Sequence, residues 1–524
     1  MNFRDSFYFP ILCFLGLVFL SLSLTKSFYA LNHPPYSVHQ WRQTDVYSQA
    51  LNYYHEGMNF LEPKIHYQAG KEGMGVGELP LLPYLTAAGW KISGENYWLG
   101  RFLNFIPFLI FSGFLFFWTW KNLGWKTSIS TFFALYFSPI ILYYSTNYLP
   151  NFLSLSLMIG AYWAWLKYYN HSSSKFFYWA LGLASLSGLL RITMLIGLAG
   201  PLIIWLLEGK SQWDLGRNEE KFFKNRIKAL ILLSAPFVLV GAWYYWVHQY
   251  NSASGSQYFL TKIKPIWESQ DLIGDAKRGF RHLLSGVYPP WGWALVLMSV
   301  LGLYFSRDRV SKALLVSLAG MGLGLIAYFI LWFKHLDHHD YYFLEVHLLL
   351  IPLIGLGLHG IFTSCRPWVW TLASVFILGI MGTGMVRNQI KYVDKGWLYE
   401  QKWTLSNWEI KRFEWYHWDY AKNRKALESM RPVLDSLGLD RMDRVILIPD
   451  PSPNIGLSFL DQKGFTNLYK GKKSYPEMIE QQLKWGAEYL IISHPKEAEK
   501  PELAPYLNHE IGRHEHVRIY DLRP

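Results

Sequence analysis

The sequence predicts an α-helical polytopic membrane protein of about eleven spans. It also predicts interfacial helices in a long first outer loop and a small soluble α/β domain at the C-terminal end. Three observations carry this. Charge-free runs recur at 6–25, 102–120, 127–166, 229–247, 313–333 and 367–386, and about 20 apolar residues cross a bilayer. The 524 residues are 51% hydrophobic and 18% aromatic but only 17% charged, where a soluble domain carries about a quarter. Past residue 386 the composition changes, and short strand and helix periodicities replace the apolar runs. Disorder, collagen and secreted disulfide scaffolds are excluded. The two cysteines, Cys13 in the first run and Cys365 in a short loop, imply no disulfide framework.

The spans are expected near 8–25, 102–120, 127–144, 149–166, 176–190, 192–207, 229–247, 289–305, 313–333, 343–363 and 367–386. The first is not a cleaved signal peptide. With Ala30 at the minus-one position, Phe28 would occupy minus three, where a small residue is expected. The run 127–166 is too long for one crossing, and Ser145-Thr146-Asn147 ahead of Pro150-Asn151 supplies a break. Arg191 interrupts 176–207, leaving one tilted helix or two short ones.

Charge decides between those two. With the N-terminus inside and both splits accepted, 15 basic residues fall on short cytoplasmic stretches. They are Arg4, Lys121, Lys126, Lys167, Lys175, a cluster of six between Lys210 and Lys228, Arg307, Arg309, Lys312 and Arg366. The outer short stretches hold Arg191, Lys334 and five more between His248 and Tyr288. Merging 176–207 would place the cluster of six outside. The positive-inside rule therefore favours eleven crossings, a cytoplasmic N-terminus and an extracytoplasmic C-terminal domain of a multi-pass inner or plasma membrane protein. The net charge of +12 is mostly this bias, so nucleic acid is not an expected partner.

Three hydrophilic regions then face outward: the first loop 26–101, the loop 248–288 with a flexible Ser252-Ala253-Ser254-Gly255-Ser256, and the tail. The expected domains are 1–386 for the membrane part with its first loop, and 387–524 for the tail. In the tail 421–437 and 475–485 read as helices, 445–449 and 489–493 as buried strands, and 516–520 as a third strand.

Polar residues at membrane depth are costly, so their positions are informative. Under this topology they gather on the outer face. The first loop holds His39-Gln40-Trp41-Arg42-Gln43-Thr44-Asp45, with Tyr47, Ala50, Leu51 and Tyr54 at helical spacing. This reads as an amphipathic helix on the membrane surface with Asp45 at its N-terminal end. Glu78 precedes Leu79-Pro80 and a second apolar stripe of Leu81, Tyr84, Leu85 and Ala88. Each carboxylate either caps or favours its helix dipole or does chemistry. Arg101 at the start of a span either snorkels or grips a lipid-linked phosphate through its planar donors.

The turn His335-Leu336-Asp337-His338-His339-Asp340-Tyr341-Tyr342 crowds its ligands too closely for one ion and has no zinc spacing. His339 and the tyrosines line a polar site or belong to an aromatic belt. Gly73, Gly75 and Gly77 make no dinucleotide fingerprint, because no strand precedes them and the spacing is wrong, and there is no P-loop.

In this order, Trp41-Arg42-Gln43-Thr44-Asp45, Glu78-Leu79-Pro80-Leu81, Gly100-Arg101, Pro150-Asn151, His339-Asp340-Tyr341-Tyr342, Pro449-Asp450-Pro451-Ser452-Pro453-Asn454 and Lys463-Gly464 resemble the GT-C membrane glycosyltransferases. The likeness is to the bacterial group with protein O-mannosyltransferases and the aminoarabinose transferase of lipid A (glycosyltransferase family 39-like), and it spans nearly the whole chain. The resemblance implies a catalytic base at Asp45 and a second catalytic acidic residue at Glu78. It implies donor-phosphate contacts from Arg101, His339, Tyr341 and Tyr342, with Arg191 nearby, and substrate contacts from Arg42, Gln43 and Asn151. Relatives often carry aspartate where this chain has Asn151.

The implied reaction is inverting transfer of a hexosyl or pentosyl group from a polyprenyl-phosphate sugar to a protein, lipid or polysaccharide, without nucleotide. No cofactor is required, and a divalent cation bridging Asp45 and Glu78 is compatible with the residues. A transporter or flippase of lipid-linked saccharide is the alternative. It would need polar groups along the whole membrane path, and the inner span ends offer only scattered Lys and Arg. A scaffold with an outward tail ranks below both. An O-antigen ligase would carry its large loop between late spans. Asp450 and Asn454 read more readily as turn residues than as acceptor contacts.

Overall fold

The computed structural model describes residues 8–69, 72–209, 213–216, 221–255, 262–392, 404–468, 471 and 473–523. Arg4, Lys210, Arg217, Ser256 and the start of the expected tail at 393–403 lie outside the described residues.

All eleven apolar segments are helical. They form Tyr8–Leu24, Trp98–Leu123, Trp125–Tyr136 with Pro139–Ser145, Pro150–His171, Ser174–Leu190, Ile192–Leu198 with Ala199–Glu208, Arg226–Ser254, Pro290–Phe305, Lys312–Leu331, His347–Ser364 and Pro367–Tyr392. Among the described residues five helices are each long and apolar enough to cross a membrane, and two bent pairs bring the number to seven. The chain is a multi-pass membrane protein. Both anticipated breaks are present. Arg191 is extended (φ −163°) between Ser174–Leu190 and the 3-10 turn Ile192–Leu198. The chain turns again after Ser145 and restarts at Pro150, a first-turn position where the missing N–H costs nothing. A further break was not anticipated: Pro139 opens a new helix after Ser138, bending the third segment by 74°.

Two corrections concern the loops. The segment 252–254 is the last turn of Arg226–Ser254 and not a flexible linker. The helix expected at 421–437 is a π turn Tyr420–Arg424, a 3-10 turn Lys425–Ser429 and a short helix Arg431–Ser436. Pro432 cannot donate to an earlier carbonyl, and it sits in the first turn of the restarted helix.

The chain divides into two compact units. One comprises 1–31, 101–244 and 262–405, and the other 32–100, 245–261 and 406–524. The first loop thus clusters with the tail, whereas the sequence reading grouped it with the spans. In the helical unit, Pro290–Phe305 and His347–Ser364 approach backbone to backbone. A Cβ on Gly357 would lie 2.2 Å from the Ser299 carbonyl oxygen, and one on Gly360 2.1 Å from that of Gly302. Small residues are what permit such packing where lipid offers no hydrophobic drive.

In the loop-and-tail unit, β1 (Val445–Ile448), β2 (Gly464–Thr466), β3 (Tyr489–Ile492), β4 (Glu510–His514) and β5 (Val517–Asp521) form a sheet of order β2-β1-β3-β5-β4. The β1 pairings with β2 and β3 are parallel, and β5 runs antiparallel to β3 and β4. The pleat alternates faces. Val445, Leu447, Tyr489 and Ile491 pack on Leu427, Met430 and Leu457, with Ile65 and Tyr67 of the first loop. Ile446, Ile448, Leu490 and Ile492 pack on Met478, Ile479 and Leu503. The first loop also reaches the sheet edge: Tyr67 bridges Gly464, and the Gln68 N–H donates to the Gly464 carbonyl at 2.8 Å. A side chain at 464 would collide with the Val445 carbonyl, 2.0 Å away.

Candidate active site

Asp45 lies in the second turn of the loop helix Gln40–Glu56, which starts after His39. It is therefore not the helix cap, and it is only 1% exposed. The helix is buried at nearly every position from Gln43 to Tyr53, which corrects its reading as a surface amphipath. Its polar residues are partnered within the unit. Ser48 Oγ lies 2.7 Å from His66 Nδ1, and Asn52 Nδ2 donates to the Ser48 carbonyl at 2.7 Å. Lys463 Nζ pairs with Glu56 at 2.5 Å and donates to Asn52 Oδ1. Burial holds the Lys463 ammonium below its ordinary range, with Glu56 opposing.

Among the described residues, Asn454 and Arg42 are side chains that contact Asp45. Asn454, at the N-cap of the tail helix Ile455–Leu460, donates through Nδ2 to Asp45 Oδ1 at 2.8 Å. Its own Oδ1 accepts from the Tyr67 N–H at 3.3 Å and the Ser48 hydroxyl at 3.4 Å, so the amide orientation follows from its partners. Arg42 Nη1 lies 3.5 Å from Asp45 Oδ2, and its Nη2 pairs with Glu78. Arg42 therefore stands between the two carboxylates. A divalent ion bridging these two carboxylates would have to displace Arg42 from both of them. Gln43, expected at substrate, instead donates to the Tyr36 and Val38 carbonyls at 3.2 and 3.0 Å, pinning the loop ahead of the helix. Asp450 is a turn residue: it accepts from Ser452 N and Gly456 N at 2.9 and 2.8 Å and pairs with buried Arg424 at 3.1 Å.

In the helical unit, Arg101 is fully buried near the start of Trp98–Leu123 and does not snorkel. Its Nη1 donates to the Thr146 carbonyl and, at 3.2 Å, to Asn147 Oδ1, and its guanidinium lies 5.1 Å from the Tyr148 ring centroid. Tyr392 Oη donates to the same Asn147 Oδ1 at 2.9 Å, and Asn104 Nδ2 to the Asn147 carbonyl at 2.8 Å. Asn151 is buried in the first turn of Pro150–His171. Tyr144, in the helix Pro139–Ser145, reaches Asp340 through its hydroxyl. His339 stacks on Tyr341 at 5.2 Å. Arg191 lies 5.6 Å from the Tyr341 ring and 4.7 Å from that of Tyr342, while it and Thr193 both bond the fully buried Glu345. Arg191, His339, Tyr341 and Tyr342 thus gather beside Glu345, and Arg101 is anchored on the 146–148 turn.

Solved structures share this architecture across the full chain. ArnT from Cupriavidus metallidurans bound to undecaprenyl phosphate matches with a TM-score of 0.61 at 13% identity, over 98% of this chain and 98% of that one. Its apo state matches with a TM-score of 0.58 at 13% identity, over 98% and 97%. The fold is that of the GT-C membrane glycosyltransferases. Arabinofuranosyltransferase AftD from Mycobacteria also shares the GT-C fold, with a TM-score of 0.52 at 12% identity over 98% of this chain and 41% of that one. Residues 78–246 match the family described as dolichyl-phosphate-mannose-protein mannosyltransferase. No curated protein matches the sequence. The resemblance carried by the ordered motifs is thereby met at the level of fold.

Sequence reasoning missed Glu345, Asp340 and Tyr392, and took Asn454 for a turn residue. Glu345 was visible in principle, since an acid inside the apolar run 343–363 is a functional or paired residue by default. Asn454 lies 409 residues from the carboxylate it touches.

Proposed function

We propose that this GT-C protein transfers a sugar from a polyprenyl-phosphate-linked donor to an extracytoplasmic acceptor, with Asp45 as the general base. The observation that carries the reading is Asp45 itself: a carboxylate 1% exposed, oriented by Asn454 on one oxygen and by Arg42 on the other. A fold shared with an undecaprenyl-phosphate-bound transferase and the mannosyltransferase family match support it.

The chemistry runs as one displacement. Asp45 takes the proton of an acceptor hydroxyl or amine as that atom bonds to the anomeric carbon. The bond from that carbon to the phosphate oxygen breaks, and the electron pair leaves on polyprenyl phosphate. Attack opposite the leaving group inverts the anomeric configuration. Arg101 holds charge for the departing phosphate and fixes the 144–148 turn through Thr146 and Asn147. The Arg191 network, with Tyr341, Tyr342 and His339, supplies further polar groups; donors of this kind are worth about 10²–10³-fold in rate each. Glu78 holds Arg42 in place beside Asp45.

Purified protein in proteoliposomes, given a panel of radiolabelled polyprenyl-phosphate sugars and candidate acceptors, tests this. One donor yields a labelled glycoside together with free polyprenyl phosphate. Translocation of intact donor with no new glycosidic bond, or no donor consumed by folded protein, overturns the reading.

A further inference from the structure

A second cluster in the loop-and-tail unit, distinct from Asp45, brings together three separate stretches of chain. His55 stands in the last turn of Gln40–Glu56, Glu95 follows the helix Leu81–Ser93, and Asp461 is the C-cap of Ile455–Leu460. One ligand atom from each lies within 4.8 Å of the other two. His55 Nε2 is 3.3 Å from Asp461 Oδ2 and 3.7 Å from Glu95 Oε2. The remaining oxygen of each carboxylate is held from behind. His66 Nε2 lies 3.2 Å from Asp461 Oδ1, and Tyr47 Oη donates to Glu95 Oε1 at 3.0 Å. His66 is in turn fixed by Ser48 Oγ on its Nδ1 at 2.7 Å.

We propose that His55, Glu95 and Asp461 form a binding site for a divalent transition-metal ion of the zinc class. Three observations converge on it. The donor set, one imidazole nitrogen and two carboxylate oxygens, is drawn from the ligand types zinc accepts, and three such ligands leave a fourth tetrahedral position for water. Each carboxylate turns one oxygen toward the cluster while an outer partner holds the other, the arrangement that fixes metal ligands in place. The cluster also reaches solvent, with Glu95 37% and His55 22% exposed, so an ion has an entry path. Arg441 also bonds Asp461 Oδ2; at 45% exposure its head swings into water when the ion takes that oxygen. The contrast with Asp45 and Glu78 is chemical, since that pair offers no nitrogen donor.

The site gives the fold a clamp. The six-residue helix Ile455–Leu460 carries Asn454 at one end and Asp461 at the other. An ion at Asp461 fastens this helix to the first loop and thereby holds Asn454 on Asp45. That last consequence rests on the proposed role of Asp45; the metal site does not.

The test uses the full chain in detergent, stripped with a chelator and titrated with zinc against a chromophoric competitor. The wild type takes up one equivalent, and its thermal midpoint rises with zinc. His55→Ala and Glu95→Gln, at the solvent edge, each weaken uptake at least about tenfold, and Asp461→Asn abolishes it. His338→Ala, outside the cluster and 70% exposed, binds as wild type. No stoichiometric uptake by the wild type, or undiminished uptake by both His55→Ala and Glu95→Gln, overturns the proposal. Neither result bears on sugar transfer, which the donor panel measures separately.

Discussion

Replacing Asn454 with Asp changes one atom in the environment of the proposed base. The side chain keeps its size, and the Tyr67 N–H and the Ser48 hydroxyl still find an acceptor where Asn454 Oδ1 now stands. Only the donor at 2.8 Å from Asp45 Oδ1 is exchanged for a second carboxylate oxygen. A hydrogen bond to a charged group is worth about 1.5–3 kcal/mol. At about 1.36 kcal/mol per pKa unit, its loss alone raises the apparent pKa of Asp45 by roughly 1–2 units. Repulsion between two carboxylates pushes in the same direction, so one proton is shared by the pair. The acid limb of the pH–rate profile for sugar transfer therefore moves upward by at least about 1 unit. Activity at low pH falls about 10–100-fold and recovers in part at pH 8, and the thermal midpoint in neutral buffer falls as well, because what no longer favours the ionised base is lost from the folded state. Asn454→Ala removes the donor without adding a charge and shifts the limb less. An unshifted acid limb in Asn454→Asp, or a loss of rate equal at every pH, refutes the link between the tail and the base.

Other substitutions read other parts of the account. Arg101→Lys keeps the charge but falls short of the Thr146 carbonyl and Asn147 Oδ1, both of which Nη1 now reaches, and loses the planar group over Tyr148. Turnover is expected to fall about 10²–10³-fold, with about 1–3 kcal/mol lost in stability. Both are measured on one preparation by transfer assay and thermal melt, and wild-type turnover contradicts the role. Burial lifts the Glu428 carboxyl above its ordinary 4.5, with the Tyr420 hydroxyl opposing. A raised folded-state value means the native protein binds the proton more tightly. The contribution is therefore full below about pH 4.5 and is lost as pH rises through the folded value. Glu428→Gln removes that decline above pH 4.5, which melting curves taken across pH show directly.

How much of this was legible in the sequence depends on the range of the interaction. The spans were readable because an apolar run is a local property. Arg191 and the 146–149 break were readable because a charge or a proline interrupts such a run locally. The core strands β1, β3 and β5 announce themselves as short alternating or continuous apolar stretches. β2 has three residues, Gly464 to Thr466, and β4 is a polar edge strand; neither carries a periodic signal. The loop helix Gln40–Glu56 misled for a related reason. Its apolar spacing suggested a membrane surface, yet Gln43, Ser48 and Asn52 hydrogen-bond to loop and tail groups up to hundreds of residues away. The acid at 45 was identifiable as a candidate, but Arg42 and Asn454 beside it were not equally so. Arg42 lies one helical turn away, whereas Asn454 is brought in by the sheet and by Tyr67 bridging Gly464.

If Asp45 accepts the acceptor's proton, Asp45→Asn cannot support transfer at the wild-type rate. The amide is nearly isosteric and can still be held by Asn454 after a flip of either amide, but it cannot take a proton. Single-turnover assays with the donor identified from the panel should show transfer reduced about 10²–10⁴-fold, with donor binding and the thermal midpoint retained. Transfer at the wild-type rate in that variant contradicts the account.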